Sequence, residues 1–99
     1  LYTFGTGTGT GGGGLNGRKP VTLVKPTYNV QEEGLLTYEF TVEPNGQVGN
    51  VKLVGMTNKT GIKNAGIDAI KRWVFTKLPD GSPQLSQIVR VTITFKLKD

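Results

Sequence analysis

Residues 35–54 read LLTYEFTVEPNGQVGNVKLV. Up to Glu43 the run alternates: Leu36, Tyr38, Phe40 and Val42 fall on one side of an extended chain, and Thr37, Glu39, Thr41 and Glu43 on the other. That period of two predicts a half-buried β-strand. Pro44-Asn45-Gly46 follows at once; proline presets one turn dihedral, and Asn-Gly accepts the positive φ that tight hairpins demand. The chain is therefore expected to reverse there, with residues 47–54 returning as a second strand. Val48 is out of phase with Val51 and Leu53, which predicts a bulge at Gly49-Asn50 to restore the phase.

Downstream of the hairpin, the polar stretch 57–61 (TNKTG) gives way to Ile62, Ala65, Gly66, Ala69, Ile70 and Trp73, spaced by threes and fours. This is one apolar stripe on a helix of about three turns. Lys63, Asn64, Asp68, Lys71 and Arg72 fall on the other side, and the two cations near the C-terminal end complement the helix dipole. The same phase assigns Trp73 to the core rather than to a ligand. Residues 78–83 (LPDGSP) form a turn-rich connection. In residues 88–97 (IVRVTITFKL) the alternation resumes, with Val89, Val91, Ile93, Phe95 and Leu97 on one side and Ile88, Arg90, Thr92, Thr94 and Lys96 on the other. A strand of about ten residues is longer than the usual five or six. A hairpin, a helix and a long last strand imply an α+β fold: a small antiparallel sheet of three or four strands with one main helix packed on one face.

Upstream, residues 21–24 (VTLV) read as a short edge strand closed by Lys25-Pro26, and residues 27–33 (TYNVQEE) as a loop or a single turn. Residues 4–14 (FGTGTGTGGGG) combine glycine's large conformational entropy with a lack of side chains to bury. The expected organisation is thus a flexible Gly/Thr-rich linker at 1–17 and a folded domain at 18–99. A phosphate-cradling loop would need a strand-to-helix turn after the glycines, whereas these open into Gly17-Arg18-Lys19-Pro20. A chain beginning at Leu1 reads as a segment cut from a longer protein, with any anchor or export signal lying upstream.

Composition narrows the chemistry. The 99 residues include no cysteine and no histidine, so the usual ligands for zinc, copper and iron and the common nucleophile-base pairs are missing. Glu32, Glu33, Glu39, Glu43, Asp68, Asp80 and Asp99 form no evident acid-base pair; Glu39 and Glu43 share a strand face but lie about 13 Å apart. No enzyme, cofactor or metal is expected. The net charge of +5 comes from dispersed lysines and arginines, of which only Arg18-Lys19 and Lys71-Arg72 are adjacent. That is a solvated surface rather than a nucleic-acid footprint, and neither alternating strand carries aromatic residues on its polar face as an RNA-binding α+β sheet would.

Three stretches together resemble a known family. EGLLTYEFTVEPNGQVGNVKLV (33–54) resembles the hairpin of the TonB C-terminal domain, AIKRWVF (69–75) its helix-ending Ala-x-x-x-Trp-x-Phe element, and ITFKL (93–97) its last strand. Lys25-Pro26-Thr27-Tyr28 is similar to the stretch leading into that domain, and GRKP with YNVQEEG is similar to Bacteroidetes-type TonB-like energy transducers with glycine-rich linkers. The resemblance covers about residues 25–98. It implies a periplasmic head on a stalk anchored in the inner membrane and driven upstream by an ExbB/ExbD-like proton-powered motor. Such a head grips the TonB box, an extended segment of an outer-membrane receptor, and pulls.

Gripping an extended peptide needs no catalytic group, because an exposed strand offers unpaired N–H and C=O groups that a guest strand completes. If the sheet runs second hairpin strand, first hairpin strand, last strand, then Ile88, Val89, Arg90, Val91, Thr92, Ile93, Thr94, Phe95 and Lys96 form a free edge. A ladder of about five or six hydrogen bonds, at about 1 kcal/mol net each, gives moderate and reversible affinity. Arg90 and Lys96 either attract an acidic partner or only keep the edge soluble. By resemblance, Tyr28 adds a contact to the receptor. The alternative is an envelope assembly module that self-associates into a homodimer through its sheet edges or by swapping strands.

Overall fold

A computed structural model describes residues 2–5, 15, 17–28 and 31–97. Its elements in chain order are β1 (Tyr2–Phe4), β2 (Pro20–Thr22), β3 (Gly34–Val42), β4 (Val48–Leu53), α1 (Thr60–Ile70), β5 (Val74–Phe75) and β6 (Gln87–Phe95). The α+β expectation holds. Among the described residues the strands form a four-stranded antiparallel sheet ordered β1-β6-β3-β4 and a two-stranded sheet of β2 and β5.

The hairpin forms as its alternation requires. Leu36, Tyr38, Phe40 and Val42 are buried and pair along β6, with Tyr38 opposite Val91 and Phe40 opposite Val89. On the other flank Phe40 faces Val51 and Val42 faces Val48, so β3 advances two residues while β4 advances three. The extra residue lies at Gly49-Asn50, and the Asn50 N–H donates to Thr41 Oγ1 at 3.1 Å. The loop closes through Gly46 N–H to Glu43 O at 2.9 Å and Glu43 N–H to Gln47 O at 2.8 Å. Gly46 takes φ +94° and its carbonyl accepts the Phe75 N–H at 2.8 Å, which docks the turn on β5.

The helix is shorter than the apolar stripe suggested. It ends at Ile70, and the next two amides tighten to three-residue spacing: Arg72 N–H to Ala69 O and Trp73 N–H to Ile70 O, both 3.0 Å. Trp73 therefore reaches the core from just beyond the helix, 1% exposed, with its indole N–H on Val24 O at 2.8 Å. Lys71 and Arg72 likewise follow the last helical residue instead of occupying its last turn; Arg72 pairs with Asp68 at 3.2 Å on the surface. No side chain of its own caps the other end. Glu32, thirty residues back, does so by accepting the Ile62 N–H at 3.1 Å, a carboxylate set against the positive pole of the helix.

Two parts of the N-terminal reading change. Tyr2–Phe4, expected within the linker, form β1 and pair with β6; the linker's residues 1, 6–14 and 16 lie outside the described residues. A tyrosine and a phenylalanine bring enough apolar area to fix three residues that the neighbouring glycines would otherwise leave free. Arg18, counted above among dispersed surface cations, is 5% exposed. Its Nε donates to Thr76 O and its Nη2 to Glu43 O, each at 2.7 Å, tying β5 to the hairpin. Burial lowers its pKa.

Candidate protein-binding site

The outer side of β6 is where an incoming strand would pair, and strand geometry says which main-chain groups point there. Successive residues direct their N–H and C=O to opposite flanks. Arg90 O accepts the Gly5 N–H at 2.9 Å on the flank away from β3. Ile88, Arg90, Thr92, Thr94 and Lys96 therefore address the outer edge, while Val89, Val91, Ile93 and Phe95 address β3.

That edge is not free, contrary to expectation. β1 runs antiparallel along it, with Tyr2 opposite Ile93, Thr3 opposite Thr92 and Phe4 opposite Val91. Lys96 is engaged as well. The Tyr28 hydroxyl donates to Lys96 O at 2.7 Å and accepts the Lys96 N–H at 3.2 Å, while its ring stands edge-on to Phe95 at 5.4 Å. Tyr28, expected to reach towards a receptor, is thus a clasp on the end of β6.

Cross-strand partners share a face, so Tyr2 and Phe4 lie on the buried side with Val91 and Ile93. There they meet the pair that follows the helix. The Tyr2 ring sits 5.1 Å from Trp73, edge to face, and Phe4 lies 6.0 Å from Trp73 and 6.3 Å from Phe75. Phe40 underlies both, 5.9 Å from Trp73 and 5.8 Å from Phe75. Such contacts contribute about 0.5–1.5 kcal/mol each beyond the area they bury. Tyr2 and Phe4 are only half-buried. The Tyr2 hydroxyl is nevertheless enclosed, without a hydrogen-bond partner among the described residues, and burial raises its pKa.

On the opposite, solvent-facing side of the sheet, Arg90 Nε donates to Glu39 Oε2 at 3.0 Å, and Lys52 lies 3.3 Å from Glu39 Oε1. Arg90 first, then Lys52, hold the Glu39 carboxyl below its usual range. Arg90 is thus committed to its own sheet. Thr37 and Thr92 hydroxyls join at 2.8 Å beside it. Among the described residues no group of acidic or other ligating side chains is placed to hold a metal. Lys71, Arg72 and Lys77 are exposed.

The contribution of Tyr2, Phe4 and Gly5 escaped the sequence reading. Their one signal was the aromatic-polar-aromatic alternation of Tyr2-Thr3-Phe4, three residues long and adjoining a glycine run.

The family model described as the C-terminal part of Gram-negative bacterial TonB protein matches residues 29–97. The solution NMR structure of the Pseudomonas aeruginosa TonB CTD superposes with a TM-score of 0.63 at 17% identity, covering 83% of this chain and 88% of that one. At that identity the likeness is one of fold. No curated protein sequence matches the chain.

Proposed function

The chain belongs to the TonB C-terminal family, and from that premise we propose that it is the periplasmic, non-enzymatic head of a TonB-like energy transducer. It binds the TonB box of an outer-membrane receptor as a strand on the outer edge of β6, in the place that β1 takes here. It passes on force from an ExbB/ExbD-like motor reached through an inner-membrane anchor upstream.

The observation that carries this reading is β1 itself: an extended segment already lies antiparallel on Arg90–Ile93, with its alternate side chains in an aromatic cleft. An edge that takes one strand from its own chain has the geometry to take another. Force directed along such a ladder loads its hydrogen bonds together, which suits a domain that must hold while it pulls.

Titration of the chain with an extended receptor-derived peptide is expected to shift the backbone amides of Ile88, Arg90, Thr92 and Thr94. Shifts confined to β4 would refute the choice of edge. Shifts at Lys71, Arg72 and Lys77 with an oligonucleotide, and none with peptide, would refute the peptide-binding reading altogether.

The second reading, an assembly module, draws on the other side of the sheet. β4 ends the strand order, and among the described residues no further strand pairs along its outer flank. Concentration-dependent sedimentation with no response to peptide would favour it.

A further inference from the structure

We propose that the cleft over Trp73 and Phe75 beside β6 is the specificity pocket for the partner segment, that it selects an extended peptide with aromatic side chains at two alternating positions, and that Tyr2–Phe4 occupy it until the partner displaces them. This rests on the strand-addition reading and adds to it the chemistry of the guest and the identity of its competitor.

The side-chain requirement follows from the seat. A guest running antiparallel to β6 in the register of β1 sends its residues opposite Val91 and Ile93 into the cleft, and the residue between them to the exposed face beside Thr92. Trp73 and Phe75 form the cleft wall and are held from the side away from β1 by Phe40 and by the indole N–H bond to Val24 O. The wall is therefore preformed, and flat rings rather than small or charged groups complete it. The middle residue of the triad faces no such wall and is free to vary, as Thr3 is exposed.

The present occupant is a poor one. Its tyrosine hydroxyl is enclosed with no hydrogen-bond partner among the described residues, whereas phenylalanine at the same position has no hydroxyl to satisfy. β1 engages the ladder over three residues, extended by one bond from Gly5. A guest spanning Ile88 to Thr94 would make more main-chain bonds than β1 and lose none of the ring contacts. Because β1 belongs to the same chain, its hold does not weaken on dilution, and the partner's apparent affinity is reduced by the fraction of molecules in which the cleft is filled.

The test uses the full chain and synthetic seven-residue peptides of threonine with phenylalanine at the two cleft positions, compared with the same peptide carrying serine there. Trp73, the single tryptophan, reports cleft occupancy by fluorescence, and the β6 amides report pairing. Two variants loosen β1 in different ways: Tyr2→Ala with Phe4→Ala removes its rings, and Thr3→Pro removes the N–H facing Thr92 while keeping them. The expected result is that both variants bind the phenylalanine peptide at least tenfold more tightly than the unaltered chain, and that the serine peptide binds at least tenfold more weakly. Tyr2→Phe is expected to act in reverse, weakening peptide binding several-fold. Equal affinity of the two peptides, with β6 amides shifting for both, overturns the pocket and leaves strand addition standing. Equal affinity of variants and unaltered chain overturns the competition. Absence of any β6 shift in the loosened variants, with receptor-derived peptide as well, overturns the inference together with the reading beneath it.

Discussion

Replacing Gly66 with alanine sets two opposed effects against each other, and the structure decides the sign. Alanine in a helix interior is favoured over glycine by about 1 kcal/mol. Gly66, however, lies buried on α1 directly over Tyr38, and an added Cβ would fall on the Tyr38 hydroxyl, Cζ and Cε1. The ring cannot retreat: Tyr38 is 0% exposed, and β3 is pinned between β6 and β4. Relief must come from the helix, and overpacking of this kind costs about 1–3 kcal/mol. Lifting α1 also stretches the Tyr38 hydroxyl bonds to Ile62 O and Lys63 O, at 3.2 and 3.1 Å, a further loss of about 1 kcal/mol. The net expectation is destabilisation by about 2 kcal/mol, which for a domain of this size lowers Tm by about 10 °C. Thermal and urea unfolding followed by circular dichroism measure it. In a Tyr38→Val background the obstacle is gone, and Gly66→Ala should turn neutral or stabilising, so the double-mutant cycle returns a coupling of about 2 kcal/mol. Equal or greater stability of Gly66→Ala in the unaltered background would refute the argument.

Gly46→Ala should be worse, by about 3 kcal/mol in urea unfolding, because an L-residue at φ +94° is strained and its Cβ would strike the Phe75 carbonyl. Amide exchange at Phe75, whose N–H bonds Gly46 O, should accelerate in the same variant. Arg18→Lys keeps the charge but not the fork that reaches both Glu43 O and Thr76 O, and should cost about 2 kcal/mol by the same unfolding measurement. Glu39 has its folded pKa depressed by Arg90 and Lys52, so its stabilising contribution is present above the ordinary value of 4.5 and is lost as pH falls through the lower folded value. Glu39→Gln should therefore be less stable than the unaltered chain at pH 7, converge with it in acid below pH 4.5, and show a smaller difference at high salt; parallel curves across that range would contradict the assignment.

Where local pattern and burial coincide, the sequence already carried the answer. Alternation in residues 35–43 and 88–97 reports a sheet with one covered face, although Leu97 lies past the end of β6 and is exposed, and the misphased Val48 reports a bulge, because a one-residue slip would turn Val51 and Leu53 towards water. What stayed hidden depends on partners far along the chain. Glu32 caps a helix thirty residues away, and no helix-start signal at Lys59 or Thr60 anticipates it. Arg18 is buried only because two carbonyls, of Glu43 and Thr76, converge on it. The candidate site was half legible: the β6 edge followed from strand order, but its occupant is a three-residue strand whose two rings are held by Trp73 and Phe75, some seventy residues along the chain. Helical spacing put Trp73 in the core correctly while overrunning the helix, since a three-residue turn after Ile70 keeps the indole near the position a continued helix would have given it.

Tyr28 gives the edge a terminus. By serving as both donor and acceptor to Lys96, one phenol does the work of a neighbouring strand at a single rung and stops the ladder there. A guest laid in the sense of β1 then meets outward-facing rungs at Ile88, Arg90, Thr92 and Thr94 and none beyond, at most about eight hydrogen bonds over some 20 Å. In the proposed mode of binding the domain would act as a ruler: however long the segment it is offered, the host would set how much of it can be held.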